Sequence, residues 1–474
     1  MSFDAAVIGS GPNGLSAAVA LAQAGRTVVV YETHPTIGGS ARTQELTLPG
    51  FHHDVCSGVH PMGAASPVFN ALPLAEHGLE WIHSEAPLAH PFDEGPPAML
   101  ERSLQATVAG LGADGLRYGR LMEPLLARWE ELLADAVGPP GLPSSPLLMA
   151  RFGLSAARPV YDLARSLFQE PRGQGLFAGT AAHAVLPFDR LASSAIGLML
   201  SAAGHAVGWP FPRGGARSIP KALASLLTSL GGVIRTGVTI ERLEQVETSG
   251  PVFFQTSPQA MARIAGDAFP PSFRKRLQAY RFGPGIFKVD WALREPIPWR
   301  NEGCRRAATV HLGGTLEELG HAEKEAFEGR LCERPYVLLT QPSLWDESRA
   351  PEGQHTAWGY CHVPNGDTTD QTRVVEAQVE RYAPGFGDVI LARHTRNTAQ
   401  VEDYCPNFVG GDINVGQPTW DQLLSRPTAR LNPYGTPDPR LFICSAASPP
   451  GGGVHGLAGA NAVRSAGLSP VRRG

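Results

Sequence analysis

Three stretches of the chain share one rhythm of apolar runs and glycine turns, and the text between them follows others. Residues 3–8 are a short apolar run, followed by Gly9-Ser10-Gly11-Pro12-Asn13-Gly14. An Ala/Leu/Val stretch then covers 15–24 and stops at Gly25, and a β-branched run over 27–31 ends at Glu32. A short apolar run bounded by turn residues predicts a buried strand, and a ten-residue run closed by glycine predicts a capped helix. Strand, glycine turn, helix and strand make a βαβ unit, which implies parallel pairing with a right-handed crossover. The rhythm returns after Pro212-Arg213-Gly214-Gly215, with a helix over 218–230, the pair Gly231-Gly232, and strands over 233–239 and 252–256. It returns again at the end, with a strand over 441–444, a glycine loop and a helix over 457–466.

The intervening text differs. Leu121, Met122, Leu125, Leu126, Trp129, Leu132 and Leu133 recur at helical spacing, which predicts one amphipathic helix over 116–134. Proline-rich linkers follow at 138–146, then helical segments to about 204 and mixed strand and helix over 283–409. The fold class is therefore α/β, with a Rossmann-like domain built from 1–64, 212–275 and 428–474. An α+β substrate domain, built from 65–211 and 276–427, is interleaved with it.

Composition narrows this little. The 474 residues are 43% hydrophobic and 18% charged, the profile of a folded chain with a large core. A formal net charge of −4 offers no footprint for nucleic acid. No run approaches the ~18 apolar residues of a membrane span. The most weakly charged stretch, 191–211, is broken by Gly204, His205, Gly208 and Pro210. Peripheral contact with a membrane stays open, and the oligomeric state is not legible. The six cysteines, Cys56, Cys304, Cys332, Cys361, Cys405 and Cys444, form no CxxC pair, so neither a redox dithiol nor a metal knuckle is expected. With no leader-like segment ahead of the first strand, a reducing, cytoplasmic setting is expected.

Gly9, Gly11 and Gly14 carry the first chemistry. Unpaired N–H groups and partial positive charge at a helix N-terminus suit a pyrophosphate. Gly9 permits the tight turn, Gly11 the close approach of phosphate, and Gly14 the packing of helix on strand. Glu32, at the end of the second strand, is placed to accept from ribose hydroxyls and would repel a 2′-phosphate. The same spelling recurs at Gly110-Leu111-Gly112-Ala113-Asp114-Gly115, but no strand bearing an acid follows at the right distance, so this copy is expected to be a turn.

A second motif, Gly38-Gly39-Ser40-Ala41-Arg42-Thr43, follows Glu32 closely. An NAD domain does not require glycines there. An extended FAD passing this backbone does, and Arg42 can set its guanidinium on the phosphates. The third motif, Pro449-Pro450-Gly451-Gly452-Gly453-Val454-His455-Gly456, opens the last helix and can aim N–H groups at the pyrimidine edge of a flavin. FAD is the expected cofactor, and no metal is expected.

With these motifs, His205-Ala206-Val207-Gly208-Trp209-Pro210, Gly283-Pro284-Gly285-Ile286-Phe287-Lys288-Val289-Asp290-Trp291, Tyr382-Ala383-Pro384-Gly385-Phe386 and Pro406-Asn407-Phe408-Val409-Gly410-Gly411-Asp412-Ile413 complete a resemblance. The chain resembles the phytoene desaturase and carotenoid isomerase superfamily of flavoproteins. Within that superfamily it resembles the pyridine nucleotide-disulphide oxidoreductase domain-containing protein 2 group, over nearly its whole length. The resemblance implies an FAD-dependent oxidoreductase with the fold of the amine oxidases and a substrate cavity against the flavin. It implies cofactor contacts at Gly9, Gly11, Pro12, Asn13, Gly14, Glu32, Gly38, Gly39, Ser40, Ala41, Arg42, Val59, Ser445, Gly453 and Val454. It also implies an adenine contact through the backbone of Val238. Ser445 stands where relatives usually have glycine, and Pro449-Pro450 replaces a more usual His-Pro. The paired cysteines of disulphide chemistry are missing.

The expected reaction is two-electron oxidation, desaturation or flavin-assisted isomerisation of an organic, apolar small molecule. An amine oxidase is the alternative, and a cofactor-free binding protein on the same fold, like the GDP-dissociation inhibitors, is a further one. No catalytic residue stands out. His205 is a contact residue or a structural histidine. Lys288 is a counterpart of the amine-oxidase lysine or, as the better expectation, a solvent-facing residue. His455 touches the ring or caps the last helix. Asn407 and Asp412 line the cavity or make turns, and residues 192–207 line an apolar route or belong to the core.

Overall fold

The structure is a computed structural model that describes residues 2–139 and 141–468. The basic end at 471–474 lies outside the described residues. Two sheets organise the chain. The first has five parallel strands in the order Leu441–Ile443, Val252–Phe254, Ala5–Ile8, Val28–Glu32, Val233–Thr236. Ala5–Ile8 and Val28–Glu32 are buried throughout, as a parallel sheet covered on both faces requires. Helix Pro12–Gln23 starts with proline, whose missing N–H costs nothing at that position. Gly25, at φ +78°, takes the left-handed turn after it. Strands from the start, the middle and the end of the chain thus lie side by side.

The second sheet has seven strands in the order Ile390–Arg396, Gly285–Leu293, His355–Val363, Val337–Thr340, Ala307–Leu312, Ala86–His90, Ala98–Leu100. All neighbours are antiparallel except Ala307–Leu312 and Ala86–His90. One face packs Phe287, Val289, Trp291, Val337 and Leu339 against Val375 and Val379 of helix Thr372–Tyr382. On the other face, register places His311, Leu338, Tyr360 and Lys288 in one row across four strands.

That row corrects the expectation for Lys288. Its strand is buried on both faces, so alternation carries it into the protein rather than into water. It pairs with the buried Asp290 two residues on, and its Nζ lies 5.0 Å from the centroid of the Trp358 ring. Burial lowers the Lys288 pKa against the pull of Asp290. Burial works to raise the Asp290 carboxyl, yet Lys288, His394 and His53 hold it below its ordinary value.

The helix expected over 116–134 is two, Gly115–Leu126 and Trp129–Val137. Arg128 breaks the run at φ −132°, ψ 40°, and its Nε reaches Glu131 in the next turn at 3.0 Å. Within the first helix Pro124 has no N–H for the Arg120 carbonyl, and Arg151 Nη2 donates to that oxygen at 3.2 Å instead. Apolar spacing continues through the break, which is why the pattern did not show it. The strand expected to reach 239 stops at Thr236, so Val238 lies beyond its end.

Candidate functional site

The first glycine motif forms the turn between Ala5–Ile8 and Pro12–Gln23. Gly9 has φ +102°, and a Cβ on Gly14 would stand 2.2 Å from the Gly9 carbonyl oxygen. Here glycine is a packing requirement between the helix and the end of its strand. Gly39 folds against the same turn, where its Cβ would lie 3.0 Å from the Gly11 Cα. Gly38 donates to Ser10 Oγ at 3.2 Å, and Ala41 is fully buried. The two glycine motifs are therefore one construction.

Glu32 sits beside it. Its Oε2 accepts from the Ser10 N–H (3.0 Å) and hydroxyl (2.6 Å), and its Oε1 accepts from the His34 N–H at 2.9 Å. A carboxylate offers about four lone-pair sites, so these three bonds leave room for a ribose hydroxyl. Arg42 Nη2 lies 3.6 Å from Glu32 Oε1 and donates to the Thr36 carbonyl at 2.9 Å, while the guanidinium covers the Tyr404 ring. Arg42 Nη1, Asn13 Oδ1 and Ser16 Oγ are buried without a protein partner. The orphaned donors Arg42 Nη1 and Ser16 Oγ, beside a glycine-lined helix N-terminus, fit a bound diphosphate. Val238, assigned to the adenine, spends its N–H on the Glu32 carbonyl at 2.9 Å.

Gln255 was not foreseen. It follows strand Val252–Phe254, the neighbour of the first strand, and its Oε1 accepts from the Gly14 N–H at 2.8 Å. A Cβ on Gly11 would lie 2.1 Å from Gln255 Nε2. Its only sequence signal is its position at the end of a strand that must pair beside the glycine turn.

A cavity of about 470 Å³ runs from this turn to the far end of the chain. Pro12, Asn13, Gly39, Ser40 and Gln255 line one end, and Ser445, Pro450, Gly452, Gly453, Val454 and His455 line the C-terminal loop. Val59 lies between them in the lining segment 56–63. The loop has an internal brace. Buried Arg426 donates to the carbonyls of Ala446 (3.0 Å) and Ala447 (3.3 Å) and to the Tyr280 hydroxyl (3.0 Å). His455 Nδ1 accepts from the Leu457 N–H at 3.1 Å, capping the last helix, and its Nε2 has no partner. Burial pushes the His455 pKa down to about 4, so the ring is neutral at pH 7.

Beyond the loop the cavity opens into a chamber. Helix Ser194–Ala206 supplies Ala195, Ile196, Met199 and Leu200, while its opposite side, with Leu198 and Ala202, joins the core. The second sheet supplies Thr309, Leu338, Trp358 and Tyr360. Among the described residues no aspartate or glutamate lines the cavity; its polar side chains include His60, His183, Asn407, Asn414 and Arg426. Cys56 and Cys405 also line it, and burial raises their thiols to about 12 and about 11, which leaves both protonated. Another depression of about 490 Å³, around Arg117, Arg120 and Arg151, shares only Phe152 with this cavity and touches no glycine motif.

The remaining candidates separate. His205 is not in the lining: its Nε2 meets the Tyr118 hydroxyl at 2.9 Å and its Nδ1 the Arg102 carbonyl at 3.4 Å. Asp412 accepts from the N–H groups of Gly283, Asn414 and Gly416 at 2.8–2.9 Å and shapes a loop whose next four residues line the chamber. Asn407 lines the cavity and ties Ser257 to Gln255, accepting from the Ser257 N–H at 2.7 Å and donating to the Gln255 carbonyl at 3.0 Å. Lys288 is not in the lining, although its neighbours Trp358 and Tyr360 are. Among the described residues no cluster of His, Cys, Asp and Glu could hold a metal, and no helix is long and apolar enough to cross a membrane.

Residues 7–72 match the NAD(P)-binding Rossmann-like domain family. The chain is 26% identical to the rat pyridine nucleotide-disulfide oxidoreductase domain-containing protein 2, over 97% of this chain and 92% of that one. It is 24% identical to phytoene dehydrogenase of Streptomyces griseus over 82% of this chain and 78% of that one. Among solved structures, putrescine oxidase bound to putrescine superposes with a TM-score of 0.62 at 16% identity, covering 98% of each chain. The resemblance read from the motifs is borne out: the chain carries a Rossmann-like domain, is similar over nearly its whole length to the pyridine nucleotide-disulfide oxidoreductase domain-containing protein 2 and over most of it to a phytoene dehydrogenase, and shares the fold of putrescine oxidase.

Proposed function

We propose that the protein is an FAD-dependent oxidoreductase that dehydrogenates, desaturates or isomerises an apolar small molecule. The observation that carries this reading is the continuity of one cavity from the glycine turn, past the C-terminal glycine loop, into an apolar chamber. Segments 1–64, 212–275 and 428–474 hold the cofactor, and 65–211 with 276–427 build the chamber. Glu32 takes the ribose, the Gly9–Gly14 turn with Arg42 the diphosphate, and the loop braced by Arg426 the ring. When bound, the flavin supplies a two-electron acceptor. The protein's own part is to exclude water with Ile196, Met199, Leu200, Leu338 and Trp358, and to hold the substrate against that acceptor.

The lining argues against a charged amine as substrate. An ammonium ion finds no carboxylate there, and a buried charge without a partner is costly. The test is a substrate screen without oxygen, following bleaching of the flavin absorbance. Apolar alcohols, alkenes and neutral amines should bleach it faster than small cationic diamines such as putrescine. Preferential reduction by putrescine would turn the reading into an amine oxidase. Rapid stoichiometric reduction by NADPH alone would refute both.

A further inference from the structure

The depression around Arg117, Arg120 and Arg151 is built by two helices that back onto the chamber. Helices Gly115–Leu126 and Pro146–Ala156 both pack on helix Ser194–Ala206, and they meet each other where Arg151 Nη2 donates to the Arg120 carbonyl. Leu198 of the shared helix lines the depression, while its neighbours Ile196, Met199 and Leu200 line the chamber. Phe152 stands in both linings. The depression is therefore the outer side of a wall whose inner side is the chamber.

Two features of this outer side lack a counterpart in the protein. The first is charge. Arg117 Nη1 donates to the Leu167 carbonyl at 3.3 Å and Arg151 to the Arg120 carbonyl, but among the described residues none of the three guanidiniums pairs with a carboxylate. Arg128 and Arg165, close by in the chain, are paired, with Glu131 and with Glu317 at 3.4 Å. No aspartate or glutamate is among the described residues of the lining, and residues 141–161 contain two arginines and no acid in a chain of net charge −4. The second feature is apolar surface. Leu147 (85% exposed) and Leu154 (77%) stand four residues before and three after Arg151, so they share its face of the helix. Leu116 (70%) stands four before Arg120. Leu121, Leu125 and Leu167 line the depression between the charges. A face that meets only water carries such leucines singly; arginines and leucines side by side on one helix face are the mark of a helix that lies in a membrane interface.

We propose that this face docks on a lipid leaflet that contains anionic phospholipid. Arg117, Arg120 and Arg151 receive the phosphates, and Leu116, Leu147 and Leu154 enter the boundary between headgroups and acyl chains. Anionic phospholipid is the occupant that meets both features at once. A soluble anion would leave the leucines in water, and a purely apolar partner would strand three guanidiniums. Docking sets the outer side of the chamber wall against the leaflet. An apolar molecule dissolved in that leaflet then lies behind Phe152 and helix Ser194–Ala206 rather than across bulk water. Docking itself involves no flavin, so it stands or falls apart from the redox reading.

The test is sedimentation of the full chain with vesicles of phosphatidylcholine and phosphatidylglycerol, against vesicles of phosphatidylcholine alone. Binding is expected to the anionic vesicles only, and it should weaken as salt is added. Arg117→Gln with Arg120→Gln should weaken it by about twentyfold, from about fivefold per charge removed. Leu147→Ser with Leu154→Ser should weaken it by about tenfold or more. All four side chains are exposed, so melting temperature and flavin content should not move. Lys275→Gln with Arg276→Gln removes the same charge from exposed positions of helix Pro271–Gln278 and should leave binding unchanged. Protein that ignores anionic vesicles overturns the proposal. So does an equal loss in the Lys275 and Arg276 double variant, which would assign binding to overall charge and not to this face. Release from vesicles by a short-chain phosphatidylglycerol, dissolved below its micelle concentration, would make the depression a site for a soluble amphiphile. Gel filtration covers the last occupant: a dimer that Leu147→Ser with Leu154→Ser dissociates would make this face an interface between two copies. Either result overturns docking on a leaflet.

Discussion

The GxGxxG spellings at 9–14 and at 110–115 do different work. At Gly9–Gly14 the glycines join a buried strand to a helix N-terminus, and Pro12 and Asn13 of that turn line a cavity. At 110–115 no strand is present. Gly110 ends helix Leu104–Gly110, Gly112–Asp114 is a 3-10 turn, and Gly115 starts the next helix. The Asp114 carboxylate accepts from the N–H groups of Gln169 (2.8 Å) and Glu170 (2.7 Å), so it fastens a third helix rather than a ligand. A Cβ on Gly115 would meet the Val108 carbonyl oxygen at 1.9 Å. Glycine serves close packing at both sites, but only the first combines it with a helix that follows a buried strand, an acid on the next strand and a second glycine pair. The lesson is that the motif lies in the flanking elements more than in the letters.

Substitutions can break this contrast. Gly11→Val should have the largest effect, because its side chain would enter the space of the diphosphate and collide with Gln255; gel-filtered protein should retain almost no flavin. Gly115→Ala should do the reverse. Forcing a methyl against backbone costs about 1–3 kcal/mol, so thermal unfolding should come several degrees earlier with the flavin-to-protein ratio unchanged. Arg42→Ala removes a charge-assisted contact worth about 1.5–3 kcal/mol. Its FAD dissociation constant should rise by roughly one to two decades in a titration.

How far the letters carried can be seen in particular residues. The parallel sheet was legible because its strands are short apolar runs between glycines, a pattern set by burial on both faces. The break at Arg128 was not, because apolar spacing runs on across it and the cause is backbone geometry plus a local ion pair. Lys288 misled because alternation assigns a side without saying whether that side is wet; the second sheet has no wet side at this strand. Gln255 and Arg426 share a different obstacle. Each gains its role from a neighbour more than 100 residues away, and no spacing announces such a meeting.

The smallest effect is expected at Gln255. Its amide occupies the Gly14 N–H that a phosphate would take, so Gln255→Ala removes a competitor. A neutral hydrogen bond is worth about 0.5–1.5 kcal/mol, so FAD affinity should rise by up to about tenfold in the same titration. A loss of affinity would instead make Gln255 a ligand of the cofactor.

The central claim is that the N-terminal glycine turn and the C-terminal glycine loop hold one flavin dinucleotide between them. Its most direct measurement is the cofactor itself: the protein is purified, its visible spectrum recorded, and the chromophore released by acid and identified by chromatography. The account predicts a yellow protein that releases FAD, not FMN, at close to one equivalent per chain. A colourless, folded protein that takes up no added FAD would contradict it.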